Sequence, residues 1–144
     1  MAKYSIREKK EKKAEYRNLV RAQLMVELRD KMLRIFGLQK KYRDKNFTAK
    51  KLAVELGTNT RYVSAVVNCC FGVNYSTFVN GYRIREAKEI LADPKSAELT
   101  MADVGDMVGF ANRQSFYSSF YRETGITPRE YRRRTLQGSE KNEE

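Results

Sequence analysis

"LTMADVGDMVGFANRQSFYSSFYRETGITPREY", Leu99 to Tyr131, decides the fold. Thr100 can cap a helix whose apolar residues Val104 and Val108 recur four apart, and Leu99 before the cap can staple onto Val104. Gly109 stops that helix in the manner of a left-handed C-cap. A few turn residues lead to Asn112, a second cap, and Phe116 and Phe120 again lie four apart. Thr127-Pro128 then opens a last helix, with threonine as cap and proline at the first helical position. Between Val108 and Arg132 stand six aromatic residues and four arginines. Helical phase separates them. Phe116 and Phe120 point inward, and Phe110 plugs the same core from the turn. The opposite face carries Arg113, Gln114, Tyr117, Ser118 and Tyr121, with no acid before Glu123.

The same grammar occurs once more upstream. "FTAKKLAVELGTNTRYVSAVVNCCFGVNYSTF", Phe47 to Phe78, superposes on the first stretch when Gly57 is set against Gly109. Thr48 then matches Thr100, Leu52 matches Val104 and Leu56 matches Val108. Past the turn, where the second copy is one residue longer, Val63 matches Phe116, Val67 matches Phe120, Gly72 matches Gly125 and Phe78 matches Tyr131. Ala53 and Gly105 are both small, as two steeply crossing helices require. Asn59 or Thr60 caps the second helix of the upstream copy. This is a helix-turn-helix, twice.

Around these units the expected class is all-α. Pro occurs only at 94 and 128, and no β-branched alternation is sustained. Ser76 to Ala92 reads as a linker helix stopped by Asp93-Pro94. An N-terminal helix is expected from Ser5, capped by a Ser5/Glu8 box, fraying before about Tyr16 and ending near Gly37, with Val20, Leu24, Leu28 and Met32 as its apolar row. The expected division is a basic arm over 1–36, a DNA-binding domain over 37–136, and a flexible tail over 137–144. Within the domain lie helix-turn-helix units at about 47–70 and 100–124, the linker at 76–92 and a final helix at 128–134.

Charge and chemistry narrow the function. The 144 residues carry 29 Lys+Arg against 18 Asp+Glu, a net +11, as in a polyanion binder. Residues 1–45 hold 15 of the cations and 6 of the acids, so the arm is expected to supply affinity rather than base choice. There is no His, no glycine-rich phosphate loop and no nucleophile beside a base, which argues against an enzyme. Cys69 and Cys70 are neighbours, expected to be buried or half-buried thiols in a reducing cytosol. No cofactor, metal or membrane span is expected. Arg83 and Arg85 are assigned to ion pairs with Glu86 and Glu89. Arg132 to Arg134 are assigned to a helix end or to phosphate.

"MADVGDMVGFANRQSFYSSFYRETGITPREYRR" resembles the signature of AraC/XylS-type transcription regulators, and the likeness extends back through "FVNGYRIREAKEIL" to cover about Phe47 to Arg134. The resemblance implies two helix-turn-helix units joined by a long helix and bound to successive major grooves of duplex DNA. It also implies readers on the solvent faces of residues 60–68 and 113–122. The candidates are Thr60, Arg61, Tyr62, Ser64, Ala65 and Asn68 in the first unit. In the second they are Asn112, Arg113, Gln114, Ser115, Tyr117, Ser118, Tyr121 and Arg122. Ala65 and Ser118 stand where such proteins often carry a long reader, and Gly105 stands where alanine is usual. The expected function is a cytoplasmic, sequence-specific regulator acting on the transcription machinery. Residues 17–36 are free for a second copy or a sensor partner. The chain is either a small stand-alone regulator or the output end of a longer protein. The rival reading is an interaction module of a larger signalling protein with weak DNA binding of its own.

Overall fold

The computed structural model describes residues 2–142, with side chains from Ile6 to Gly138. Among the described residues there are seven α-helices and no strand: α1 (Ala2–Gly37), α2 (Ala49–Leu56), α3 (Thr60–Val66), α4 (Tyr75–Ala92), α5 (Met101–Val108), α6 (Arg113–Thr124) and α7 (Pro128–Asn142). The all-α expectation therefore stands. Each short helix is bounded by the chemistry its sequence carries. The Lys51 N–H donates to Thr48 Oγ1 at 3.3 Å, and Thr100 and Asp103 cap each other reciprocally at 3.0 and 2.9 Å. Gly57, Gly72, Gly109 and Gly125 all take positive φ at the matched helix ends. At the close crossing, a Cβ on Gly105 would stand 3.1 Å from the Phe116 ring, so a small residue is needed there and even alanine would press on that ring.

Two hydrophobic clusters result, and α4 walls both. The first gathers Leu28, Met32, Ile35 and Phe36 of α1 with Leu52, Leu56, Val63, Val67, Phe78 and Val79. The second gathers Ile84, Ala87 and Leu91 of α4 with Val104, Val108, Phe110, Phe116 and Phe120. Phe36 is fully buried, with ring centroids of Phe78 at 5.0 Å, Tyr82 at 5.3 Å and Phe47 at 5.8 Å. The C-terminal third of α1 is thus part of the first unit's core, not an arm separate from it. The helix also begins earlier than expected. Residue 2 is already helical, so Ser5 lies inside α1 and is not its cap, and no break occurs at Tyr16.

A polar latch joins the units. The segment after α1 makes a 3₁₀ turn at Lys41–Arg43 against α4. Arg43 Nε donates to Glu86 Oε1 at 2.8 Å and Lys40 Nζ to Glu86 Oε2 at 3.2 Å. Arg83 donates to the carbonyls of Tyr42 (2.8 Å) and Asp44 (3.1 Å) and lies over the Phe110 ring. Arg85 lies over the Tyr82 ring. Both assignments of these arginines to Glu86 and Glu89 are therefore corrected. The cations that satisfy Glu86 come from the far side of the latch, a pairing 43 to 46 residues apart that no local spacing announces.

Glu86 is buried, and although burial itself opposes its charge, the hydrogen bonds from Arg43 and Lys40 outweigh this and hold its pKa below the usual carboxylate value. Its folded pKa lies below its unfolded one. The stability it contributes is therefore present above the unfolded value and lost as pH falls through the folded one. Glu86→Gln should cost about 2 kcal/mol at pH 7. Urea unfolding of both proteins from pH 7 to 3 should show that gap closing below about pH 4.5; a gap independent of pH would contradict the latch.

The C-terminal end differs as well. Thr127 accepts from the Glu130 N–H at 3.2 Å and α7 starts at Pro128, as the sequence implies, but the helix continues to Asn142 where it was expected to stop near Arg134. Arg133 and Arg134 pair with Glu130 one turn back, holding its carboxyl down at about 2 and bracing the first two turns of the helix. Arg132 donates to the Leu99 carbonyl at 2.7 Å. The helix end expected at these three arginines lies further on, at Asn142.

Candidate nucleic-acid interface

Recognition requires a helix held rigidly on one face and polar on the other. Both second helices meet this. Asn59 accepts from the Tyr62 N–H at 3.1 Å, and Asn112 from the Ser115 N–H at 2.8 Å, so the two caps are equivalent. Thr60 is then the first residue of α3 rather than its cap. The carbonyl oxygen of Asn112 is likewise engaged at the cap, leaving its amide N–H groups to face outward. On the buried side Val63, Val66 and Val67 match Phe116, Ser119 and Phe120. The helices part company at their ends. α3 runs into a single π turn, Val67–Phe71, before the left-handed Gly72, whereas α6 stays regular for 12 residues.

On α6 the exposed candidates are Arg113, Gln114, Ser115, Ser118, Tyr121 and Arg122, while Tyr117 is half-buried, edge-on to Phe116. Arg113 lies 4.9 Å from the Tyr117 ring centroid and donates to its hydroxyl at 3.3 Å. The guanidinium is thereby held outward over an aromatic platform instead of swinging freely. Glu123, the nearest acid, turns its carboxylate to Gly81 of α4 and away from this face.

The α3 face is more enclosed. Arg61, Ser64 and Asn68 are exposed, with Thr60 beside them, but Tyr62 and Ala65 are half-buried. Their cover is α1: Arg21 and Met25 share one hollow with Asn59, Arg61, Tyr62, Ala65 and Cys69. Sequence reasoning did not place α1 there. The only signal was the row Arg17, Arg21, Met25, continuing at helical spacings of three and four residues to the buried Leu28 and Met32. Cys69 and Cys70 are free and exposed, which corrects the expectation of buried thiols. They fall on the π turn, whose extra residue per turn rotates them off the core. No group of three or more metal-ligating side chains occurs among the described residues.

Between the readers lies a second hollow. The N-terminal ends of α2 (Thr48, Ala49) and α6 (Ser115) open onto it, with Lys45, Ser76, Asn80 and Arg83 on its walls. Helix N-termini and basic side chains around one concavity suit a phosphate group.

A family model described as a helix-turn-helix domain matches residues 52–134, spanning both units and the linker. The chain belongs to the AraC-type helix-turn-helix family. Among its relatives, the Bacillus subtilis protein YtdP, named an uncharacterized HTH-type transcriptional regulator, is 30% identical over 89 residues. That alignment takes in 62% of this chain and only 11% of YtdP, so the chain spans about a tenth of that relative's length. The C-terminal domain of the two-component response regulator yesN from Fusobacterium nucleatum superposes with a TM-score of 0.62 at 27% identity, over 72% of this chain and 98% of that one. The AdpA DNA-binding domain, solved in complex with a target DNA, shares the fold with a TM-score of 0.60 at 18% identity, over 75% and 88% of the two chains. The match covers residues 52–134, so α1 and the 3₁₀ segment that holds Glu86 and Arg83 lie outside it.

Proposed function

We propose that this AraC-type domain is the DNA-reading part of a transcription regulator, setting α3 and α6 into successive major grooves on one face of a duplex. The observation that carries this is the pair of equivalently capped helices, polar outward, held on opposite ends of one α4 of 18 residues. That helix is roughly 27 Å long at 1.5 Å per residue. Adjacent major-groove segments on one face are about 34 Å apart, within reach of helices mounted at its two ends. Phosphate would bind between them, at the hollow shared by α2 and α6. In this reading the domain acts in the cytoplasm on the transcription machinery. The exposed Leu19, Val26 and Leu33 of α1 offer a second copy or a sensor module a place to attach.

Selection of sites from randomised duplex DNA tests the proposal, and a bipartite site with half-sites one helical turn apart is the expected result. On that site Arg113→Ala should weaken binding about 5- to 150-fold, as losing one bidentate arginine does, and relax choice at one base position. Equal weakening on scrambled duplexes would remove Arg113 from the readers. Failure to enrich any site would remove the proposal.

A further inference from the structure

The hollow between α1 and α3 has an unusual charge environment. Arg21 lines it together with Arg61, and Arg17, one turn further along α1, flanks Tyr62 beside Arg21. Residues one turn apart on a helix stand about 6 Å from each other. Among the described residues, none of Arg17, Arg21 and Arg61 has an ion-pair or hydrogen-bond partner. No acid lies between Glu15 and Glu27 on α1, or between Glu55 and Glu86 across α2, α3 and the π turn. Arg21 and Arg61 therefore line one hollow, Arg17 lines the adjoining one beside Tyr62, and the stretches of α1 and α3 that form these walls carry no acid. Like charges so placed repel unless an anion joins them.

We infer that Arg17 and Arg21 of α1 join Arg61 of α3 in one cationic clamp for the DNA backbone flanking the first half-site. The inference rests on the DNA-reading function proposed above and extends it to a helix that the family match does not include. The chemistry taken is the phosphodiester, held by guanidinium groups through charge-assisted hydrogen bonds. The clamp also accounts for the composition of α3. That helix places Ser64 and Ala65 where longer readers would reach, and Tyr62 and Ala65 are half covered by α1. Its cationic contacts come from the neighbouring helix instead. A second copy of this chain is a poor occupant of the same seam, because symmetry would set one acid-free basic surface against another.

Salt titrations by fluorescence anisotropy, on the selected duplex and a scrambled one, test the clamp with the whole chain. Arg17→Gln/Arg21→Gln removes two exposed charges. It should lower the slope of log K against log salt by about 1.8, from roughly 0.9 per contact, and weaken both duplexes alike. Lys31→Gln/Arg34→Gln removes two exposed charges from the far end of the same helix and should leave the slope unchanged. Arg21→Lys should keep the slope, since a point charge still meets phosphate. An equal slope for wild type and the Arg17/Arg21 variant, with the wild type still preferring its site, would overturn the clamp and leave the function standing. Absence of duplex binding by the wild type would overturn both. A change of self-association in sedimentation, with an unchanged slope, would assign this face to a second copy and overturn the clamp. Far-ultraviolet circular dichroism melts keep loss of folding apart from these outcomes.

Discussion

Phe36→Ala is expected to lower stability by about 4 kcal/mol, the range for a phenylalanine removed from a packed core. Phe36 has no exposed surface and sits among Phe47, Tyr75, Phe78 and Tyr82, with three of its four neighbouring rings set edge-on. Truncation forfeits the buried ring area and the aromatic geometry together, and leaves a cavity where α1, α2 and α4 meet. Urea unfolding monitored by circular dichroism measures the cost. Leu33→Ala serves as the comparison, because Leu33 is 38% exposed one turn away and should cost well under half as much. Similar losses at the two positions would mean that α1 does not dock through Phe36.

Gly109→Ala should cost about 3 kcal/mol, and Gly57→Ala, at the equivalent turn, only about 1 kcal/mol. Both glycines have positive φ, so both substitutions carry the left-handed penalty. Only Gly109 lacks room as well. A Cβ there would overlap the Tyr42 carbonyl oxygen and stand 2.9 Å from the Arg43 Cα, both backbone atoms of the latch. Nothing lies within 4 Å of a Cβ on Gly57. Chemical denaturation of the two variants separates conformational strain from collision, and equal losses would show that the latch yields to a methyl group.

This pair of glycines also marks how far the sequence could be read. Caps, stops and core rows depend on neighbours three or four residues apart, so Thr48, Asn59, Thr100 and Asn112 announced their helices, and Phe110, Phe116 and Phe120 announced the second core. The turn at Gly109 was legible, but its contact with Tyr42 was not, because that contact spans more than 60 residues and leaves no periodic trace. The same holds for Glu86, since Arg83 and Arg85, which precede it on α4, are engaged elsewhere. The reader face of α6 is open as its phase implied, apart from Tyr117, which leans edge-on against Phe116. That of α3 is not, since phase says which side of a helix faces away from its own core but nothing of a distant helix laid across it. Met25 and Arg21 cover Tyr62 and Ala65 in that way.

The helix α4 contributes Phe78 and Val79 to one cluster and Ile84, Ala87 and Leu91 to the other, with no loop between them. Neither cluster can melt while keeping its wall intact, for fraying one end of α4 withdraws the hydrogen-bonded turns on which the other end is built. The two units are therefore expected to open together, with the backbone amides at the middle of α4 exchanging their hydrogens only through global unfolding. A substitution in either unit then lowers the midpoint of one shared transition. Damage to one reader's support is felt at the other, through the helix they share.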